Sequence, residues 1–92
     1  MQDSNFATLV SAYSQRLPTI GSELHGPLQT GDIPQVKLLT HRLRGTAPGY
    51  GFIRLGAMAG AIEDAVREGH GAETLLEAAK PLLAALSSGE YQ

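Results

Sequence analysis

Cysteine is absent from this chain, so neither a disulfide framework nor a thiolate metal site can be built from it. No apolar stretch approaches the ~20 residues that a helix needs to cross a bilayer, and the opening Met-Gln-Asp-Ser shows no basic, apolar leader. A cytoplasmic protein without a membrane span is the expectation. No segment alternates with the period of two that marks a half-buried strand, and there is no internal repeat, low-complexity tract or interdomain linker. A glycine-rich nucleotide loop with its following lysine is missing as well, and so is a carboxylate cluster to hold Mg²⁺, so autonomous kinase activity is not expected. Its 92 residues suffice for one small domain and are too few for two. We therefore read 1–92 as a single domain with its core over about 5–88.

What is present is helical periodicity. Phe6, Leu9, Tyr13, Leu17, Ile20, Leu24 and Leu28 step by three and four, predicting an amphipathic first helix that is either kinked or split in two at Pro18. Gly31 supplies a stop, and Asp32 followed by Gln35 predicts a capping box for a second helix over about 33–48. Pro48-Gly49-Tyr50-Gly51 ends it. Phe52, Leu55, Ala59, Ile62 and Val66 form a third seam that closes at Gly69-His70-Gly71. Leu75, Ala79, Leu82 and Leu86 form a fourth, bent near Pro81, with the tail from Ser87 to Gln92 frayed. Short polar turns between long helices predict an all-α fold, an antiparallel up-and-down four-helix bundle. The third seam also carries a set of small residues, a packing device rather than a cofactor signal.

 

In full, that set is Gly56, Ala57, Ala59, Gly60 and Ala61, and it lets the third helix come close to the second.

The second helix carries the chemistry. At 100° per residue, Val36, Leu39, Leu43 and Ala47 fall on one side and His41 on the other. Lys37, Arg44, Gly45 and Pro48 project within ~60° of His41, so they share its solvent-facing stripe. Gly45 costs a helix roughly 0.5–1 kcal/mol relative to alanine, and a glycine one turn beyond an exposed histidine lets another protein's backbone come close. Leu38, ~60° to the other side, is a candidate docking contact, as are Tyr50, Gly51 and Phe52 at the start of the next helix. Four of the seven basic residues, Lys37, Arg42, Arg44 and Arg54, lie in a stretch from Ile33 to Ile62 that has no Asp or Glu. On a chain of formal charge −2 this local basic face suits an acidic protein surface or a phosphoryl group, and not a nucleic acid. The plain alternative is a solvated face with an ordinary surface histidine. A zinc or nickel site from His25, His41 and His70 lacks paired ligand spacing, so no metal site is expected. His25, near a helix end, and His70, in a glycine turn, read as solvent-facing bystanders.

His41, Arg44, Gly45 and Gly51 together resemble the signature of the histidine-containing phosphotransfer (HPt) domain family, His-x-x-Lys-Gly followed by five residues and a glycine. Leu43, Ala47, Phe52, Leu55, Ala59, Ile62 and Glu63 are similar to the rest of that family's pattern, and Gly31-Asp32 to its helix junction. Two positions depart from it: Arg44 stands for the usual lysine, and Pro48 for a small residue. The resemblance implies a four-helix bundle that accepts a phosphoryl group on His41 from a receiver-domain aspartate or a kinase and passes it to a response-regulator aspartate. On that reading Arg44 supports the phosphoryl charge and Gly45 keeps the approach clear. Lys37, Leu38, Arg42, Pro48, Tyr50, Gly51 and Phe52 meet the partner. The partners implied are a response regulator receiver domain and a histidine kinase or hybrid kinase, with Mg²⁺ supplied by the receiver and no cofactor of the chain's own. The chain would be a phosphocarrier and a monomer. The alternative is a helical docking module that binds receivers or kinases without carrying phosphate.

Overall fold

A computed structural model describes residues 2–89, with side chains from residue 5 onward. Four helices follow in order: α1 (Gln2–Thr30), α2 (Ile33–Thr46), α3 (Ile53–Arg67) and α4 (Ala72–Ser88), with a short 3-10 turn at Ala47–Tyr50. Among the described residues there is no strand. Each helix runs against its neighbour. Tyr13 of α1 meets Thr46 near the end of α2, Arg44 of α2 reaches Glu63 of α3, and Gly21 of α1 faces Leu86 while Gly31 faces Ala72 at the start of α4. The antiparallel four-helix bundle predicted from periodicity is what forms.

The core is made of the seam residues. Leu17, Leu24 and Leu28 from α1 are buried with Val36, Leu39 and Leu43 from α2, Leu55, Ala59 and Ile62 from α3, and Leu75, Ala79, Leu82 and Leu86 from α4. α1 runs as one helix through Pro18, so the splitting alternative is not realised. Pro18 is exposed, which places the carbonyl freed by its missing N–H where water can satisfy it. Pro81 is exposed inside α4 in the same way. The tail also departs from expectation: Ser87 and Ser88 are helical, and α4 closes on Gly89 at φ 84. The last three residues of the predicted frayed tail lie outside the described residues.

Two junctions aim α2. Asp32 caps its start, accepting from the Gln35 backbone N–H at 3.3 Å. The Asp32 N–H itself goes back to the Pro27 carbonyl at 2.9 Å, so only one arm of the predicted capping box forms. At the other end α2 stops at Thr46, two residues short of the predicted boundary. Pro48 has no N–H to continue the ladder, and the chain tightens into the 3-10 turn. Gly51, at φ 93, then reverses it into α3. Tyr13 stacks on Tyr50 with ring centroids 4.3 Å apart and on Phe52 at 6.0 Å, fixing this corner.

Candidate functional site

His41 stands on the outer face of α2 with its side chain 70% exposed. Its neighbour Thr40 is buried, and the Thr40 hydroxyl donates to the Val36 carbonyl at 2.8 Å, so a polar group enters the core without losing its hydrogen bond. That inward turn of Thr40 leaves the next residue facing outward.

The ring is held from α3. His41 Nδ1 lies 2.7 Å from Glu63 Oε2, and a carboxylate oxygen only accepts, so Nδ1 carries the proton and donates it. In the neutral ring this leaves the lone pair on Nε2, across the ring from Glu63. Glu63 is only 2% exposed, and it also accepts from Arg44 Nη1 at 3.2 Å and from Arg67 Nη2 at 3.5 Å. Burial alone would raise the Glu63 carboxyl. The hydrogen bonds from His41 and Arg44, with the guanidinium charge, outweigh it and hold that group below the usual carboxylate range. Asp64 joins from the same helix, 3.2 Å from Arg44 Nη1 and 3.7 Å from Arg67 Nη1.

The glycines have separate jobs. A Cβ at Gly60 would fall 3.0 Å from Arg44 Nε and 3.2 Å from its Cδ, so the bare α3 backbone is the shelf on which Arg44 lies to reach Glu63. A Cβ at Gly56 would sit 2.6 Å from Pro48 Cγ, which brings the 3-10 turn hard against α3. Ala57 and Ala61 point to solvent and take no part in this close approach, a correction to the five-residue packing device. At Gly45 a Cβ would meet nothing within 4 Å. No packing within this chain requires glycine there.

Of the residues singled out in the sequence, His41, Arg44 and Gly45 come together, lining one shallow depression with Glu63 and Arg67. Lys37 and Leu38 are exposed on α2, Gly51 is exposed, and Tyr50 is half-buried on Tyr13. Three expectations are corrected. Phe52 is 4% exposed and belongs to the core, so it offers no docking surface. Pro48 lies on the 3-10 turn against Gly56 and not on the helical stripe of His41. The clustered cations do not form one face: Arg42 lines a groove between α1 and α2 with Tyr13, Arg16 and Glu23, while Arg44 lines the depression beside His41.

Glu63 entered the sequence reading only as part of a family pattern, and Arg67 was missed. Their signal was present: Gly56, Gly60, Glu63 and Arg67 share one stripe of α3, and a carboxylate on a stripe of small, buried residues requires a partner. His25 and His70 are exposed, beside Gln29 and Glu68. Among the described residues no three His, Cys, Asp or Glu side chains are grouped to hold a metal ion, and no helix is long and apolar enough to cross a membrane.

The family model of the Hpt domain matches residues 8–89. Comparison with curated proteins and comparison with solved structures each return no match. Since the matched span takes in nearly the whole bundle, including the helix pair that holds His41, this chain belongs to the Hpt domain family.

Proposed function

We propose that this domain is a phosphorelay intermediate that takes a phosphoryl group on Nε2 of His41 and hands it to a response-regulator aspartate. Membership of the family implies a phosphotransfer role in two-component signalling. The observation that carries the finer reading is the 2.7 Å contact between His41 Nδ1 and Glu63 Oε2 on an otherwise exposed ring.

The Nε2 lone pair attacks the phosphorus of an aspartyl phosphate on the partner. The P–N bond forms as the P–O bond breaks, and the aspartate leaves as a carboxylate. The ring gains positive charge in this step, and the Nδ1–H stays on the ring, donated to Glu63, whose negative charge steadies the cation. The same contact serves the return: an imidazole that leaves with Nδ1 protonated departs as a neutral ring, so transfer to a second aspartate is not blocked by a poor leaving group. Alignment and electrostatic support supply most of the catalysis, and Arg44 gives part of that support beside the incoming phosphoryl. Mg²⁺ belongs to the receiver's acidic pocket, and Gly45 leaves room for that pocket's rim. Lys37 and Leu38 flank the approach, with Arg42, Tyr50 and Gly51 as further contacts. On this reading the chain is a cytoplasmic, monomeric phosphocarrier fed by a receiver domain or by a histidine or hybrid kinase.

Incubation with a phosphorylated receiver should label the chain with phosphate that is lost in acid and survives base, as a phosphoramidate does. His41→Gln should take none while keeping its helical circular dichroism. Continued labelling of that variant would move the site elsewhere. Receiver binding without any labelling of the native chain would favour the docking module.

A further inference from the structure

The depression beside His41 holds a second guanidinium to which the phosphotransfer reading has so far given no task. Arg67 is 61% exposed, and its contacts are long: Nη2 is 3.5 Å from Glu63 Oε2 and Nη1 is 3.7 Å from Asp64 Oδ1. Arg44 holds the same two carboxyl groups more closely, at 3.2 Å each. Glu63 Oε2 is the atom shared between Arg67 and the imidazole, so the guanidinium and the ring are neighbours across one oxygen.

The charges in this cluster balance before any phosphoryl arrives. Two guanidinium groups face two carboxylates around a neutral ring. A phosphoryl group brings roughly −1.5 to −2 charges, and Glu63 and Asp64 add to the local negative charge. The cation held most loosely changes partner at the smallest cost, and a guanidinium fork matches phosphoryl oxygens two at a time. The long contacts single out Arg67. Its stem leaves α3 one turn after Glu63, which lets the head swing over the ring while the backbone stays still.

We propose that Arg67 is a phosphoryl-holding residue, which turns from Glu63 and Asp64 to the phosphoryl oxygens on His41 Nε2 once the group has been transferred. Arg44 stays on Glu63 and keeps the ring oriented. The two arginines thus divide the work: Arg44 positions the imidazole and lends its charge from Glu63, and Arg67 grips the phosphoryl oxygens directly. This rests on the phosphotransfer reading.

The test needs no partner protein. The full chain, carrying His25→Gln and His70→Gln so that one ring reports, is treated with phosphoramidate, whose P–N bond breaks with loss of ammonia as the new bond to His41 forms. Phosphorus-31 NMR then follows the second ionisation of the bound phosphoryl group against pH. A guanidinium on the phosphoryl favours the dianion, so Arg67→Ala should move the midpoint upward by about half a unit to one unit, and Arg67→Lys should restore at least part of that shift. Circular dichroism of each variant should match the parent. A midpoint identical in the parent and Arg67→Ala, or one moved only by Arg44→Ala, overturns the inference and leaves the phosphotransfer reading standing. Absence of a His41 phosphorus signal in the parent overturns both.

Discussion

The α1–α4 pair and the α2–α3 pair solve the same packing problem with different materials. Where α1 meets α4, the interface is built mainly of leucines: Leu17, Leu24, Leu28, Leu75, Leu82 and Leu86 are all buried, with Gly21 packed on Leu86 and no buried charge among them. Where α2 meets α3, small residues replace large ones, and a buried carboxylate is shared by a histidine and two arginines. The leucine seam can be read as stability alone, since apolar burial is non-directional. A buried charge is different: it needs partners at fixed positions, so it specifies one geometry of the helix pair. The difference teaches that the two halves should fail differently when altered.

Leu82→Ala offers the largest expected effect. Leu82 is 1% exposed, and removing such a side chain costs ~2–5 kcal/mol, read as a lower urea midpoint. Phosphate uptake per folded molecule should be unchanged; a drop in uptake by the folded fraction would show that the two halves are coupled. Next comes Gly45. Gly45→Glu should slow transfer from a receiver by at least ~100-fold through bulk and like charge, while uptake from phosphoramidate, a small donor, continues. Gly45→Ala should raise stability by roughly 0.5–1 kcal/mol, since the space beside it is open. Undiminished receiver transfer in Gly45→Glu would remove that glycine from the approach.

The smallest effect separates orientation from stability within the α2–α3 pair. Glu63→Gln keeps an oxygen for the His41 Nδ1–H but loses the charge, and should lower the rate of uptake roughly tenfold. The same variant has a signature in acid. Glu63 titrates below the usual carboxylate range in the folded chain, so its stabilising contribution is full at neutral pH and is lost as the pH falls through its folded value. The urea midpoint of the native chain should therefore fall further between neutral pH and acid than that of Glu63→Gln. Parallel curves for the two would mean that this carboxylate adds nothing to the pairing of α2 with α3.

Much of the site was legible before any coordinates, and its failures have a common cause. Spacing along α2 placed His41 opposite Val36, Leu39 and Leu43, and it stands there. The glycine at position 45 had a steric reading, and the space beside it is open. Phe52 was ambiguous because a residue at a helix start belongs equally to a seam and to a corner; its stacking with Tyr13, from a helix far away in the chain, decided the matter. Arg42 and Arg44 are two residues apart on one helix and point to different grooves, which counting basic residues along the chain cannot reveal.

Residue order alone determined where the helices run, which face each of them buries, and which histidine is left outside, because a period of three to four residues and its capping signals are local properties of the chain. Only the tertiary structure decided what stands beside that histidine. Glu63 reaches the ring from another helix, with Arg67 against its carboxylate, because Gly56 and Gly60 let α3 close on the Pro48 turn and on Arg44, and the pairing of faces follows from side chains that fit across an interface rather than from any period within one helix.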